Sequence, residues 1–405
     1  MIRIISLHFI NIEQKGDYSI YLNTASKLAL GKNINNLYYG IFPHAIHYPI
    51  ALSLFYKLFG VSKLIVSAVH LLFSLIEIVC IYLLMEKTII KKYSIIATFL
   101  IILNPSSILI VLFTGGESIY SSLIFVCLLI IANIYSSSNS NKSKHIGLYI
   151  ILGLLLSFAN FFRPTGIILI IALILSELLI NNSYNKKIII RVCTICLTFI
   201  LGNMIFQNIT TKITGFQTPQ KSFGWNLYVG ANYNSKGTWN SEDGQLFKDI
   251  IAKENDPSEI QTYFFDLSIK RYKNLIKQRK LLHHFMNKSF IWSRESYIPT
   301  LISEGQLSGS NYKLSGVDKV ITFLCFIYQN IVFIIMLLSL LFCKKQNFLY
   351  RIISLYMIGS ICLFMLVETA TRYKFAYYSI IPTIAIIGCF NLYDSYIVKK
   401  DIKLH

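Results

Sequence analysis

Residues 64–84 read LIVSAVHLLFSLIEIVCIYLL. At 1.5 Å of rise per residue, a helix of this length reaches across the roughly 30 Å hydrocarbon core of a bilayer. Runs at 95–113, 188–205, 321–342 and 376–392 repeat the pattern, and shorter ones at 119–131, 146–159, 167–180 and 352–367 bring the expected total to about nine. A tenth, residues 1–10, is apolar apart from Arg3 and His8 but gives way to the largely polar 11–17. It is expected as a shortened helix, and no small-residue cleavage site follows it to mark a signal peptide. Of the 405 residues 54% are apolar and only 14% charged, with mean hydropathy +0.56, more apolar surface than a soluble chain of this size can hide. Lipid offers no partner to an open sheet edge, so the expected class is an all-α polytopic membrane protein with about nine to ten transmembrane helices.

The connections alternate in charge. Lys87, Lys91 and Lys92 lie in one, Lys142 and Lys144 in the next but one, then Lys186, Lys187 and Arg191, then Lys344, Lys345 and Arg351, with Lys399, Lys400 and Lys403 in the tail. The positive-inside rule makes these cytoplasmic, together with both termini, in a plasma-membrane protein. The alternate connections near Gly115, Arg163 and Glu368, the segment 11–60 and the stretch 207–317 then face outward. The chain divides into an N-terminal membrane domain, residues 1–206, carrying the first outer loop, an extracytoplasmic domain, residues 207–317, and closing helices, residues 318–405.

The outer segments are long enough to carry function. Ile20, Leu22, Ala25, Leu28 and Leu30 form one face of a helix from about Asp17 to Gly31 that is expected to lie along the membrane surface. Residues 42–60, with His44, His47, Tyr48 and Pro49, form a half-buried approach to the next span. In the outer domain, residues 225–237 alternate aromatic, glycine and asparagine and predict tight turns or short strands. Asp256, Pro257 and Glu259 predict a helix start in which the glutamate reaches back to the cap. Residues 260–292 follow as helix in one or two pieces, so this small domain is expected to be α or mixed.

The net charge of +19 has two sources. One is the cytoplasmic lysines; the other is Lys270, Arg271, Lys273, Lys277, Arg279, Lys280, Lys288 and Arg294 in the outer domain. This basic face either rests on anionic headgroups or draws in a phosphate-bearing lipid. No nucleic-acid module accompanies it, so no nucleic-acid partner is expected. The eight cysteines all lie in or beside spans, and Cys193 and Cys196, spaced like a redox pair, sit in an apolar helix where packing is the expected duty. His44 and His47 alone do not make a metal site. His70 and Glu77, seven apart on one helix face, mark either an interhelical hydrogen bond or a transport pathway, and no repeat symmetry supports the pathway.

Charged groups at outer helix ends are costly without a purpose or a partner. Five stand out: Asp17 in Gly16-Asp17-Tyr18, Glu117 after Gly115-Gly116, Arg163 in Arg163-Pro164-Thr165-Gly166, and Glu368 and Arg372 in the run that ends at Tyr373. The topology sets all of them on one face. An outward carboxylate such as Asp17 suits a base that takes the proton of an attacking hydroxyl, and guanidinium groups such as Arg163 and Arg372 pair bidentately with phosphate. Glu117 and Glu368 then orient those arginines or sugar hydroxyls. Plainer duties stand beside these: Asp17 as N-cap of the surface helix, Glu117 at a helix dipole, Arg163 and Arg372 snorkelling to headgroups, and Glu368–Arg372 as an intrahelical ion pair.

In order and sidedness these motifs, with Gly230-Ala231-Asn232 and Gly237-Thr238-Trp239-Asn240 in the outer domain, resemble the membrane glycosyltransferases of the C superfamily (GT-C), and among them the protein-mannosyltransferase-like group, glycosyltransferase family thirty-nine. The resemblance covers nearly the whole chain. It implies a GT-C-like fold and an inverting transfer of a hexose or pentose from polyprenyl phosphate to an acceptor hydroxyl on an envelope lipid, glycan or protein. It also implies Asp17 as the first-loop acidic base, Arg163 and Arg372 on the donor phosphate, and Glu117, Glu368 and Tyr373 around the sugar. Many members carry an acidic pair at the first-loop position; here Gly16 and Tyr18 flank Asp17, so no cofactor is required and a two-carboxylate metal site is disfavoured, with a divalent metal left open. The Ile-, Asn- and Lys-rich composition points to an AT-rich bacterial genome and hence an undecaprenyl carrier. An envelope polysaccharide polymerase or ligase, and more remotely a lipid-linked glycan transporter, remain as alternatives.

Overall fold

A computed structural model describes residues 2–9, 14, 16–136, 142–180, 186–293, 317–343 and 347–402. Among them there is helix and connection but no strand. The first outer loop follows α1 (Ile2–Phe9) and holds α2 (Asp17–Ala29), α3 (Leu37–Ile41) and α4 (His47–Phe59). Helix α5 (Lys63–Thr88), long and apolar enough to cross a membrane, follows, opened by Ser62, whose hydroxyl accepts from the Ile65 amide at 3.3 Å.

Residues 95–113, expected as one straight span, are broken into α6 (Ser94–Ile102) and α7 (Pro105–Leu109), with a bend of 66° across the pair. Pro105 has no amide to give the helix, and its ring clashes with the preceding turn. Asn104 caps the new start through the Ser106 and Ser107 amides. Its Nδ2 donates to the Tyr378 carbonyl at 3.0 Å, which ties this break to a second one, a 52° bend near the C-terminus.

The membrane bundle continues with α8 (Glu117–Ser136), α9 (Lys142–Phe162), α10 (Ile167–Ile180) and α11 (Lys186–Thr214). The outer domain supplies α12 (Gly224–Gly230), α13 (Ser241–Ile251), α14 (Pro257–Lys277) and α15 (Leu281–Ser289), and the bundle closes with α16 (Val317–Phe342), α17 (Phe348–Leu366) and α18 (Ile380–Ile402). Five of these helices have spanning length and apolarity, the two bent pairs raise the number to seven, and α9 and α10 are shorter apolar helices, all among the described residues. Helix α8 is central, packed on α5 and α9, whereas α11 and α16 are peripheral and bury few of their apolar side chains. Helices α9 and α11 approach closely at two glycines: a Cβ on Gly153 would meet Thr198, and one on Gly202 would meet Ser157.

Helix α11 runs on to Thr214, so residue 207 falls inside it. In the outer domain, residues 225–230 form helix rather than turns or strands. Trp225, Tyr228 and Val229 share one face that buries against Ile260 and Phe264 of α14 and against Ile41 of α3, and this burial outweighs the helix cost of the glycines. The tight turns come just after it, at Lys236 and Gly237, both with positive φ. Asp256 caps α14 as expected, accepting from the Ser258 amide at 3.0 Å, but Glu254, not Glu259, bonds the Asp256 amide, at 2.8 Å. The helical stretch is in two pieces, split at Arg279 with φ 57°. Gln261 ties the two outer segments together, donating to Ile41 O at 2.8 Å and accepting from the Trp225 amide at 2.9 Å.

Candidate active site

Where these segments meet lies a cavity of about 430 Å³, whose lining includes Glu117, Arg163, Glu368, Arg372 and Tyr373 together with Phe161, Phe162, Phe199 and Phe206. Each charged residue comes from a helix end. Glu117 is the first residue of α8, and its carboxylate folds back over Gly115, where a Cβ would collide with Oε2. Arg163 follows α9, and its Nη2 donates to Glu117 Oε1 at 2.5 Å in a pair whose side chains are only 17% and 14% exposed. The Thr165 hydroxyl secures the Arg163 turn by donating to the buried Tyr120 hydroxyl at 2.9 Å, which meets Tyr356 at 2.7 Å.

Glu368 lies in the connection after α17, and Arg372 and Tyr373 in the 3-10 turn that follows. They form no intrahelical pair. Arg372 Nη1 instead donates to Asp17 Oδ2 at 2.9 Å, across 355 residues of sequence, and the Tyr373 hydroxyl donates to Glu368 Oε2 at 3.1 Å. The two guanidinium carbons stand 5.7 Å (Arg163) and 5.5 Å (Arg372) from the Tyr373 ring centre. Neither arginine reaches outward to headgroups alone; each is anchored by a carboxylate.

Asp17 is the first residue of α2, but Gly16, with φ 58°, occupies the cap, so the carboxylate does not cap the helix. It also accepts from the Tyr38 hydroxyl at 3.4 Å. Asp17 stands behind Arg372 rather than in the cavity wall, and this pair is the more open one, at 31% and 30% exposure. Burial raises the Glu368 carboxyl above its ordinary value, opposed by Arg372.

The structure brings all six expected site residues together and adds others. His44 and His47 both line the cavity, yet His47 spends its ring nitrogens on the Phe161 carbonyl and, at 3.0 Å, on the Thr210 hydroxyl. Among the described residues no three side chains of His, Cys, Asp or Glu come together as a ligand set. His70 and Glu77 make interhelical hydrogen bonds: His70 to Tyr48 at 2.9 Å and Ser118 at 2.7 Å, and Glu77 with Ser121 at 2.8 Å. Cys193 and Cys196 are free thiols in α11.

The basic outer stretch is not one uniform face. Arg271 turns inward to Asp243, at 2.7 and 3.1 Å, and stacks on Tyr228. Lys288 is buried, and burial pushes its ammonium down to about 7, with Glu368 pulling the other way. Arg294 lies outside the described residues.

The chain is similar to the membrane glycosyltransferases of the C superfamily, whose fold class it has, and within them to the protein-mannosyltransferase group: residues 43–206 match the dolichyl-phosphate-mannose-protein mannosyltransferase family. The apo oligosaccharyltransferase of Archaeoglobus fulgidus superposes with a TM-score of 0.52 at 10% identity, covering 99% of this chain and 51% of that one. AglB of the same organism, in complex with an inhibitory peptide and a dolichol-phosphate, gives 0.50 at 10% identity over 99% and 50%. ArnT from Cupriavidus metallidurans, bound to undecaprenyl phosphate, gives 0.46 at 10% identity over 96% and 75%. This chain spans about half the length of the archaeal oligosaccharyltransferase. No curated protein matches it in sequence.

Proposed function

We propose that the chain is an inverting glycosyltransferase that moves a sugar from a polyprenyl-phosphate carrier to an acceptor hydroxyl on the outer face of the plasma membrane. The observation that carries this is the joining, in one cavity, of two carboxylate-anchored arginines to an aromatic, lipid-compatible wall. A ligand with an anionic head and an apolar tail is complementary to a lining that mixes the two. The matched family and the dolichol-phosphate complex of AglB support the same carrier chemistry.

In this reading Arg163 and Arg372 hold the donor phosphate against the Tyr373 ring. The acceptor oxygen attacks the anomeric carbon from the opposite side, the bond to the phosphate oxygen breaks, and its electron pair leaves with polyprenyl phosphate, inverting the centre. The departing charge falls to the two guanidinium groups, which are already oriented. Asp17 accepts the acceptor proton; as the phosphate draws Arg372 forward, a carboxylate oxygen of Asp17 is freed for that task. Glu117 and Glu368, with the Tyr373 hydroxyl, orient the arginines and the sugar. The alternation of basic connections supports an outward orientation of this face with both termini inward, and we take the acceptor to be an envelope lipid, glycan or protein.

The test is release of free polyprenyl phosphate from labelled polyprenyl-phosphate sugars by the full chain in membranes, with an envelope acceptor extract. Wild type is expected to release it, Asp17→Asn to bind donor without turnover, and Arg372→Ala to lose both. Turnover by Asp17→Asn at the wild-type rate would remove Asp17 as the base. The oligosaccharyltransferase fold favours a second reading, transfer of a preassembled oligosaccharide; activity with lipid-linked oligosaccharide but no single-sugar donor would select it.

A further inference from the structure

Residues 366–369, the last residue of α17 and the start of the connection that carries Glu368, each make a hydrogen bond to the outer domain. Leu366 O accepts from the Tyr272 hydroxyl of α14, and Val367 O from Lys288 Nζ of α15 at 2.8 Å. The Glu368 amide donates to Asn226 O of α12 at 2.6 Å and the Thr369 amide to Gly237 O at 2.8 Å. Four consecutive residues are thus held by four different outer-domain residues. Lys288 is the costly member, a lysine 2% exposed whose Nζ also donates to Gly230 O at 2.8 Å. Such burial is tolerated when the donors are used. The fit is close on both sides: a Cβ on Gly237 would come 2.7 Å from Lys288 Cε, and one on Gly230 would collide with Leu366 O and come 2.8 Å from the Glu368 nitrogen.

We propose that Lys288 is a positioning residue: by bridging the Gly230 and Val367 carbonyls it clamps the outer domain onto residues 366–369 and so sets where the Glu368 carboxylate stands in the cavity. Lys288 does not line the cavity and acts through that loop. The consequence for turnover rests on the transferase reading; the clamp does not.

Two readouts separate them, both on the full chain in lipid nanodiscs, for Lys288→Met, which keeps the length without donors, and for Gly230→Ala, which wedges the same contact. The first is amide hydrogen exchange of peptides covering 366–370, expected to quicken about tenfold or more while α5 and α8 stay protected. The second is steady-state transfer, expected to show kcat lower by about ten- to a hundredfold with the donor KM little changed, as for a displaced group. Unchanged exchange in both variants overturns the clamp, and faster exchange with an unaltered kcat overturns its positioning role. If Lys288→Met quickens exchange throughout the bundle, Gly230→Ala decides by the same criteria. If wild type transfers sugar from no donor, the transferase reading falls and exchange alone judges the clamp.

Discussion

Glu368→Gln is expected to tighten donor binding while slowing transfer. The glutamine keeps an oxygen to accept from the Tyr373 hydroxyl, bonded at 3.1 Å in the wild type, but removes the negative charge. A phosphate gripped by guanidinium carbons 5.7 and 5.5 Å from the Tyr373 ring centre lies against that ring, with the Glu368 carboxylate beyond its hydroxyl. Their separation is then about 8 Å, at which two unit charges repel by about 2 kcal/mol at an effective permittivity of ~20 and about 0.5 kcal/mol at ~80. Glu368 is 8% exposed, which favours the larger figure, so removing its charge is expected to strengthen polyprenyl-phosphate binding by roughly two- to thirtyfold. Because burial raises the Glu368 carboxyl, wild-type affinity is expected to rise as pH falls through that raised value and the carboxylate takes a proton. The variant lacks this rise. The assay is equilibrium binding of labelled polyprenyl phosphate to protein in nanodiscs, at low and at high salt, since screening must shrink a Coulombic gain. Equal or weaker binding by Glu368→Gln, with the fold intact, refutes the placement of the phosphate beside Tyr373.

Two further outcomes follow from packing and charge. Arg271→Met leaves the buried Asp243 carboxylate with Asn232 and Asn240 but without its cation, and is expected to loosen the outer domain by about 3 kcal/mol, read as proteolysis or amide exchange of α12–α14. Burial alone would raise the Asp243 carboxyl, yet the hydrogen bonds from Arg271, Asn232 and Asn240 hold it below its ordinary value, so this stabilisation is present at neutral pH and lost as pH falls through the lowered value. Gly153→Val drives a Cβ into Thr198 Oγ1 and to 2.6 Å from the Ile195 carbonyl, which forces α9 and α11 apart. Thermal melting in detergent should show about 1–3 kcal/mol of lost stability, and an unchanged melt would mean that the two helices do not pack at that glycine.

Apolar length made the membrane helices legible, because a run of spanning length has few other uses. The break at Pro105 was visible as a proline inside an apolar run, but hydropathy averages over it and the run reads as one span. The candidate residues stood out as types and places, since charges at the ends of apolar helices demand a reason. Their partners were not. Glu368 and Arg372, four apart, look like an i,i+4 pair only if the chain there is α-helical; it is extended at Ala370 and then a 3-10 turn, so Arg372 turns to Asp17. Lys288 was hidden for another reason. It is one of eight basic residues in a single stretch, and nothing local distinguishes it, packed under Gly230, from Lys270 and Lys273, which are exposed. Trp225–Gly230 misled because glycine and asparagine signal turns, while the burial that makes it a helix is supplied by Ile41 and Phe264, from two other segments.

The pair between Asp17 and Arg372 spans almost the whole polypeptide. A ribosome adding about 5–20 residues per second delivers the arginine roughly 20 to 70 s after the aspartate. For the later part of that interval the nascent chain holds Glu117, Arg163, Phe161, Phe162, Phe199 and Phe206 but lacks Glu368, Arg372 and Tyr373. If the chain is the proposed transferase, lipid-linked sugar is expected to drift past the unfinished molecule without being consumed. On the proposed transferase reading, a chain cut short before residues 368–373 is expected to be inert rather than wrongly active, because Glu368, Arg372 and Tyr373 are all made last.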